Sequence, residues 1–345
     1  MRTRFPIAAL IVALFALVAV GCGGASDDTS GTADAGGDAS TTLSLVAYST
    51  PEVVYQEIIP DFQATADGKD VAFKTSYGAS GDQSRAVEAG LKADVVSFST
   101  EPDMTRLVDA DIVGADWDAT PSKGLVTTSV VAFIVRKGNP KNITTWDDLL
   151  KPGIKVLTPN PFTSGAAKWN ILAAYGQASD GGKDPQAGLD YVKELITEHV
   201  PVQDKSGREA LQNFVNGDAD VLLSYEYEAT TAQKKGEDVD YVLPDDTIKI
   251  NIDIAATVDA PPAAQSFLDY VLSKPAQEHF VDWGYRPVNE EVLAAAKAEG
   301  KFPDPPRLFT IDDLGGWSTV NDEFFDVENG SIAKIEEDAG VSTAK

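Results

Sequence analysis

Four short stretches of this chain place a hydroxyl or a glycine where a helix is about to begin: Ser49-Thr50, Ser80, Ser164-Gly165-Ala166 and Ser206-Gly207. A helix start leaves its first N–H groups without intrahelical partners and carries the positive end of the peptide dipoles. Where the first-turn side chains are as small as Gly165, Ala166 and Ala167, those groups stay open and can receive an oxyanion. The clearest case is Ile154 to Gly176, IKVLTPNPFTSGAAKWNILAAYG. Ile154 to Leu157 reads as a buried strand. Pro159 and Pro161 mark the connection, because neither fits a ladder or a helix interior. Ser164 is a good N-cap, Trp169, Leu172 and Ala173 share an apolar face, and Gly176 is placed to close the helix. A single stretch of this kind is more often a capped, closely packed helix. Its recurrence along the chain shifts the balance toward ligand binding.

Each stretch follows a strand. Leu43 to Tyr48 precedes Ser49-Thr50-Pro51-Glu52, a helix start with hydroxyl caps and Pro at the first helical position, after which Val54, Ile58 and Phe62 recur at i, i+4 and i+8. Val71 to Tyr77 leads through Gly78-Ala79-Ser80-Gly81 into a helix with Val87 and Leu91 on one face, and Ala93 to Ser99 is a third strand. Such short β-α-β-α-β links imply parallel strands in an α/β layer. Val126 to Arg136 is long enough to leave a first lobe, and Thr144 to Leu149 is a short capped helix. Tyr191 to Ile196 is helical and Val200 to Val202 a short strand. Ser206 caps a helix carrying Leu211 and Val215, with Glu209 in capping-box position. Val221 to Ser224 is a strand ending at Tyr225-Glu226-Tyr227-Glu228. Thr247 to Val258 is a return crossing, followed by helices over Ala263 to Leu272 and from Lys274. The expected architecture is α/β in two lobes, 43–127 and 128–251, with 252–345 returning to the first. Ligands of open α/β sheets sit outside the carboxyl ends of the strands, here in the cleft between lobes.

The composition narrows the chemistry. The 345 residues carry a net charge of −26, which argues against nucleic acid and against a polybasic membrane contact. An anionic ligand must then be held by short-range hydrogen bonds and dipoles, with distant charge screened over ~10 Å. The single cysteine, Cys22, and two histidines, His199 and His279, leave little material for a disulfide, a metal cluster or a Ser-His-Asp triad. No metal and no cofactor are expected. At the N-terminus, Arg2 and Arg4 precede an apolar run from Ile7 to Val20, too short for a comfortable span. Ala19-Val20-Gly21-Cys22 resembles a bacterial lipoprotein lipobox, with Ala where Leu is more usual. The resemblance implies a signal peptide over 1–21, cleavage before Cys22 and lipidation of its thiol. Residues 22–42, built after Cys22 from Gly, Ala, Ser, Thr and Asp, read as a flexible tether.

A site made of neutral donors needs no Lys or Arg. Each hydrogen bond to a charged group is worth ~1.5–3 kcal/mol net. About half a dozen can replace the hydration of a small dianion and leave micromolar-class binding, about −8 kcal/mol. Such a site also selects: sulfate only accepts hydrogen bonds, whereas phosphate keeps a proton that needs an acceptor. Nearby residues have simpler readings. Asp82 is a first-turn carboxylate facing the helix dipole, Arg208 braces its loop or is solvated, and Trp169 is core. Glu226 and Glu228 face solvent or hold Tyr225 rather than act as an acid/base pair.

Several strings resemble one family: VAYSTPE, SYGASGDQ, FIVRKGNPKNITTWDDLLKPGIKVLTPNPFTSGAAKWNILAAYG, DVLLSYEYEA, YRPVNEEV and LFTIDDLGGW. They are similar to the sulfate/thiosulfate solute-binding proteins of ABC importers, from Leu43 to Trp317. The resemblance implies a two-lobed, type II periplasmic-binding-protein fold that closes over a dehydrated sulfate or thiosulfate. It places the ligand contacts on the Ser49 amide, Ser80, the Ser164 hydroxyl, the Gly165, Ala166 and Gly207 amides, and Tyr225. Three positions depart from the family pattern. Ser49-Thr50 replaces an aspartate, which leaves Thr50 as an alternative first contact. Ala166 replaces a glycine but keeps its amide. Tyr225 replaces an indole donor, which leaves sulfate against thiosulfate open. The resemblance further implies a monomer, lipid-anchored on the extracytoplasmic side, that delivers its ligand to ABC permease subunits. A molybdate, tungstate or phosphate receptor is the alternative within this class, and a secreted hydrolase on the same scaffold is the alternative outside it.

Overall fold

The computed structural model describes residues 40–344; the signal segment, Cys22 and most of the expected tether lie outside the described residues. From the N-terminus, strand β1 (Thr41–Tyr48) leads to helix α1 (Glu52–Gln63), β2 (Val71–Gly78) to α2 (Ser80–Glu88), and β3 (Val95–Phe98) to α3 (Glu101–Asp109). The long β4 (Leu125–Arg136) follows, then α4 (Trp146–Leu149), β5 (Val156–Leu157), α5 (Gly165–Ala178) and α6 (Pro185–Glu194). Next come α7 (Gly207–Asn216), β6 (Val221–Tyr225), α8 (Glu226–Lys234), β7 (Val239–Val242) and a second long strand, β8 (Asp246–Ala256). The remainder comprises α9 (Pro262–Val271), α10 (Lys274–Asp282), β9 (Arg286–Pro287), α11 (Glu290–Ala298), β10 (Arg307–Phe309), α12 (Gly316–Val320) and α13 (Ser331–Asp338).

The sheet order is β2-β1-β3-β8-β4-β6-β5. β1 pairs in parallel with both β2 and β3, as the short βαβ links require. β8 then runs antiparallel to β3 at one end (Val95 opposite Ala256) and to β4 along its length (Thr127 opposite Ile252, Val130 opposite Lys249). The far half of β4 pairs with β6 and β7, and β5 joins β6 in parallel. β4 and β8 therefore cross together from one group of strands to the other, and they alone carry the sheet between the two lobes of the fold. Burial accounts for their composition: Val130 to Val135 and Ile248, Ile250, Ile252 and Ile254 are all buried and, apart from Ala132, β-branched or aromatic residues suited to a strand covered on both faces.

Six expectations need correction. Thr41 and Thr42 do not belong to a tether, since they pair with Val71 and Ala72 in β1. Pro51 stands one place before the first helical residue, and no hydroxyl caps α1. α2 ends at Glu88, the chain turns at Gly90 with φ 104°, and Leu91 is exposed rather than on the apolar face. Gly176 does not close its helix, because α5 continues to Ala178. It is glycine because the Phe309 ring lies where a Cβ would be. Val200 to Val202 finds no partner strand and stays irregular, with Val202 exposed. Finally, the last segment does not all return to β1–β3. Trp317 packs on Trp169, Phe324 on Tyr175 and Phe325 on Phe162, so the apolar residues near the C-terminus cover α5 and the loop before it. No described helix is long and apolar enough to cross a membrane.

Candidate functional site

The site begins with α5. Ser164 holds the N-cap position in extended backbone, yet its hydroxyl makes no capping bond. Its own N–H goes back to the Asn160 carbonyl at 2.9 Å, which tightens the Pro-rich turn. The amides of Gly165, Ala166 and Ala167 have no partner among the described residues, as the start of a helix with small side chains dictates. α7 starts in the same way. Ser206 accepts the Glu209 amide at 3.3 Å, the Glu209 carboxylate takes the Lys205 amide at 3.0 Å, and the Gly207 and Arg208 amides stay open.

The other helix starts meet these two. A Cβ on Gly165 would collide with Ser99 Oγ and stand 2.9 Å from Thr100 Cγ2 and 3.4 Å from Ser80 Cβ. A Cβ on Gly207 would lie 3.6 Å from Ala166 Cβ and 3.7 Å from Thr50 Cγ2. Gly81 N–H donates to the Thr163 carbonyl at 3.2 Å, and Trp169 Nε1 donates to the Ser99 carbonyl at 2.6 Å. The four expected turns, carried by α1, α2, α5 and α7, thus converge. Ser49, Thr50, Ser80, Ser164, Ala166, Ser206 and Tyr225 are all buried there. Gly81, Asp103, Arg106, Ser164 and Gly165 line one small cavity at its edge.

Tyr225 ends β6 and is the residue before α8. Its hydroxyl is buried beside Ser99 and has no hydrogen-bond partner among the described residues, and burial holds it well above the ordinary tyrosine range. A buried donor without an acceptor is costly in an otherwise satisfied interior. Thr50 is differently placed. Its Oγ1 lies 2.8 Å from the Tyr227 hydroxyl, which donates onward to Tyr48 at 3.1 Å, so the Thr50 hydroxyl is used in a tyrosine chain. Ser80 is likewise engaged: Oγ donates to Asp103 Oδ2 at 2.7 Å and accepts the Ser99 amide at 3.1 Å. What Ser80 leaves open is its own amide at the start of α2.

Asp103 is the main feature that the sequence reading missed. It is a buried carboxylate beside the site, and it also accepts from Thr100 Oγ1 at 2.9 Å and from Arg106 at 3.2 Å. A signal was present: Thr100-Glu101-Pro102-Asp103 has a hydroxyl at the N-cap, Pro in the first turn and an acid at N3. Ser99 and the Trp169 indole bond carried no local signal.

Most cations around the site are engaged with carboxylates, and Lys168 donates to the Asn321 amide oxygen at 3.0 Å. Asp82 binds Arg85 at 2.5 Å and Lys205 at 3.3 Å. Arg208 reaches the Glu52 carboxylate and the Ser49 carbonyl, so it braces the start of α1 rather than only its own loop. Trp169 is fully buried, in line with a core role. Glu226 and Glu228 do not face solvent. Glu226 forms a buried two-pronged pair with Arg286 at 2.7 and 3.1 Å. Glu228 is buried without such a partner, and desolvation pushes its pKa up to about 7. His199 contacts the Ile154 carbonyl and His279 sits on the surface between Glu57 and Asp61. No group of three or more His, Cys, Asp or Glu among the described residues is placed to hold a metal ion.

The arrangement gathers amides and hydroxyls on one spot, which suits a small ligand that only accepts hydrogen bonds. Comparison with known proteins agrees in kind. The family model of the bacterial extracellular solute-binding proteins matches residues 43–286. A sulfate-binding protein of Synechococcus elongatus is 37% identical, covering 97% of each chain. A thiosulfate-binding protein of Escherichia coli is 34% identical, covering 86% of this chain and 91% of that one. Among solved structures, the sulfate-binding protein SubI of Mycobacterium tuberculosis superposes with a TM-score of 0.80 at 48% identity, over 83% of this chain and 100% of that one.

Proposed function

This chain belongs to the bacterial extracellular solute-binding proteins, and from that premise we propose that it captures sulfate, or thiosulfate, outside the cytoplasm for import by an ABC transporter. The observation that carries this reading is the meeting of open amides from α5 and α7 with the buried, unpartnered hydroxyl of Tyr225. The donors are the Gly165, Ala166 and Gly207 amides, the Ser164 and Tyr225 hydroxyls, the Ser80 amide, and an amide from Ser49 or Thr50. At ~1.5–3 kcal/mol each, such bonds offset the loss of the anion's hydration without a counter-ion.

Asp103 bears on selectivity. Hydrogenphosphate would need an acceptor for its proton, and Asp103 Oδ2 is already taken by the Ser80 and Thr100 hydroxyls while Arg106 holds Oδ1. Displacing one of those bonds costs about as much as the new one returns, so sulfate is favoured.

The lobes divide near 127–131 and 249–252, where β4 and β8 cross side by side. Opening there parts the Gly81–Thr163, Trp169–Ser99 and Arg208–Glu52 contacts and admits the ligand. The mature chain is a monomer, anchored on the extracytoplasmic side by lipid on Cys22. Isothermal titration of the mature chain with sulfate, thiosulfate, phosphate and molybdate tests the assignment. Tight sulfate binding with no phosphate binding is expected. Phosphate or molybdate binding tighter than sulfate would overturn it.

A further inference from the structure

The turn that opens α1 is held from across the sheet by a tyrosine that is not among the proposed donors. Tyr227 lies in the first turn of α8, which follows β6, whereas Tyr48 ends β1 and Thr50 follows it closely. All of them are buried. The Tyr227 hydroxyl is 2.8 Å from Thr50 Oγ1 and donates to the Tyr48 hydroxyl at 3.1 Å. A hydroxyl carries a single proton, so with that proton given to Tyr48 the bond to Thr50 is donated by Thr50. The Thr50 proton is then spent on Tyr227 and is not offered to an anion. What the Ser49-Thr50 turn still has to offer is backbone N–H.

The Tyr227 ring is fixed as firmly as its hydroxyl. The Tyr285 ring stacks on it at 3.7 Å with 13° between the planes, and the Tyr225 ring meets it edge-on at 5.2 Å. Tyr285 comes from the β1 side: it precedes β9, which pairs with the near half of β4, and Phe280 joins it to Tyr55 of α1. Tyr227 is thus a β6-side residue inserted among β1-side partners. It touches two proposed contacts at once, the Ser49-Thr50 turn through its hydroxyl and Tyr225 through its ring. Arg208 of α7 reaches the same turn at the Ser49 carbonyl.

Resting on the sulfate reading above, we propose that Tyr227 is a positioning residue for anion binding. Its hydroxyl clasps Thr50 as the lobes close and seats the turn before α1 on the anion, and the Thr50 side chain serves this clasp rather than the anion. In the open form these hydroxyls reach water, and removing one costs little. In the closed form the same removal leaves buried partners unsatisfied, so the loss falls on the anion-bound state alone. The clasp therefore slows release: the anion enters the open form without it and leaves only after it has parted.

Stopped-flow tryptophan emission of the mature chain mixed with sulfate reads both rate constants, with Trp169 reporting closure through its bond to the Ser99 carbonyl. Calorimetry gives the affinity. Tyr227→Phe is expected to weaken sulfate binding by about fivefold to a hundredfold, nearly all of it in faster release, with association and unliganded melting unchanged. Thr50→Val keeps the branched shape and the amide and should lose as much. The double variant should lose no more than either single one, and Thr50→Ser, which restores the hydroxyl, should recover most of the loss. Wild-type affinity in Tyr227→Phe, slower association, lower unliganded melting or additive losses would overturn this role while leaving the ligand assignment intact. A wild type that binds no sulfate would instead overturn the assignment, and this role with it. Should Tyr227→Phe fail to fold, Thr50→Val decides through the same split of rates.

Discussion

Gly165→Ala separates binding from stability. The residue is the first of α5, where alanine is favoured over glycine by up to about 1 kcal/mol. The three atoms nearest the new methyl belong to Ser99, Thr100 and Ser80, all from the opposite lobe. Ser99 is buried and its amide and carbonyl are fixed by Ser80 and Trp169, so its hydroxyl has little room to yield. Overpacking of this kind costs about 1–3 kcal/mol, and only the closed form bears it. The Gly165 amide would also be displaced from the ligand. Together these predict a loss of at least about tenfold to a hundredfold in sulfate affinity, with unliganded stability equal to the wild type or slightly higher. Titration calorimetry reads the first quantity and thermal unfolding without sulfate the second. Gly165→Asp adds bulk and charge and should abolish binding. Wild-type affinity in Gly165→Ala would show that the bound state does not bring these two surfaces together, and would refute the closed arrangement.

Other outcomes follow from the same geometry. Tyr225→Phe removes a buried hydroxyl that has no protein partner, so unliganded melting should stay the same or rise while sulfate affinity falls by about 1–3 kcal/mol; a fall in both would mean the hydroxyl has a structural partner. Ser164→Ala should weaken binding by a similar amount and barely alter unfolding, because the hydroxyl caps nothing. Glu336 is buried with one carboxyl oxygen on Gln203 and the other unsatisfied, and burial raises its pKa from 4.5 to about 7. Its neutral form is favoured in the folded state, so that contribution is complete below about pH 4.5 and is lost as pH rises to about 7, up to about 3 kcal/mol. Denaturant titrations should therefore show Glu336→Gln gaining on the wild type between about pH 5 and about pH 8; a constant difference would contradict this.

What the sequence made legible was local. Ser164 and the prolines before it announce α5 because capping and backbone restriction act within a few residues. The βαβ order follows for the same reason. Gly176 was misread because the demand for glycine comes from Phe309, far along the chain, and not from a helix end. Val200 to Val202 has strand composition but no neighbouring strand to pair with, and propensity without pairing makes no ladder. The tyrosine chain through Thr50, Tyr227 and Tyr48 joins β1 to α8 and exists only once the lobes meet. Glu226 and Glu228 were expected to face solvent or to hold Tyr225; both are buried, and nothing local revealed Arg286 as the partner of Glu226.

A chain of net charge −26 that binds a dianion looks self-defeating only if full charges decide the matter. Around this site they do not. Arg85 and Lys205 share Asp82, Arg106 is held by Asp103 and Glu88, and Arg208 by Glu52, so these four cations are offset before a ligand arrives. The remaining acidic surface acts through solvent and fades over ~10 Å in salt. Open amides and hydroxyls act at contact distance among buried residues, where a low local dielectric strengthens each hydrogen bond. A free arginine at the centre would bind oxyanions more strongly but with less discrimination among their charge states. Aligned dipoles backed by compensated charges require the guest to accept every hydrogen bond offered, and a fully ionised sulfate does that while a protonated phosphate does not.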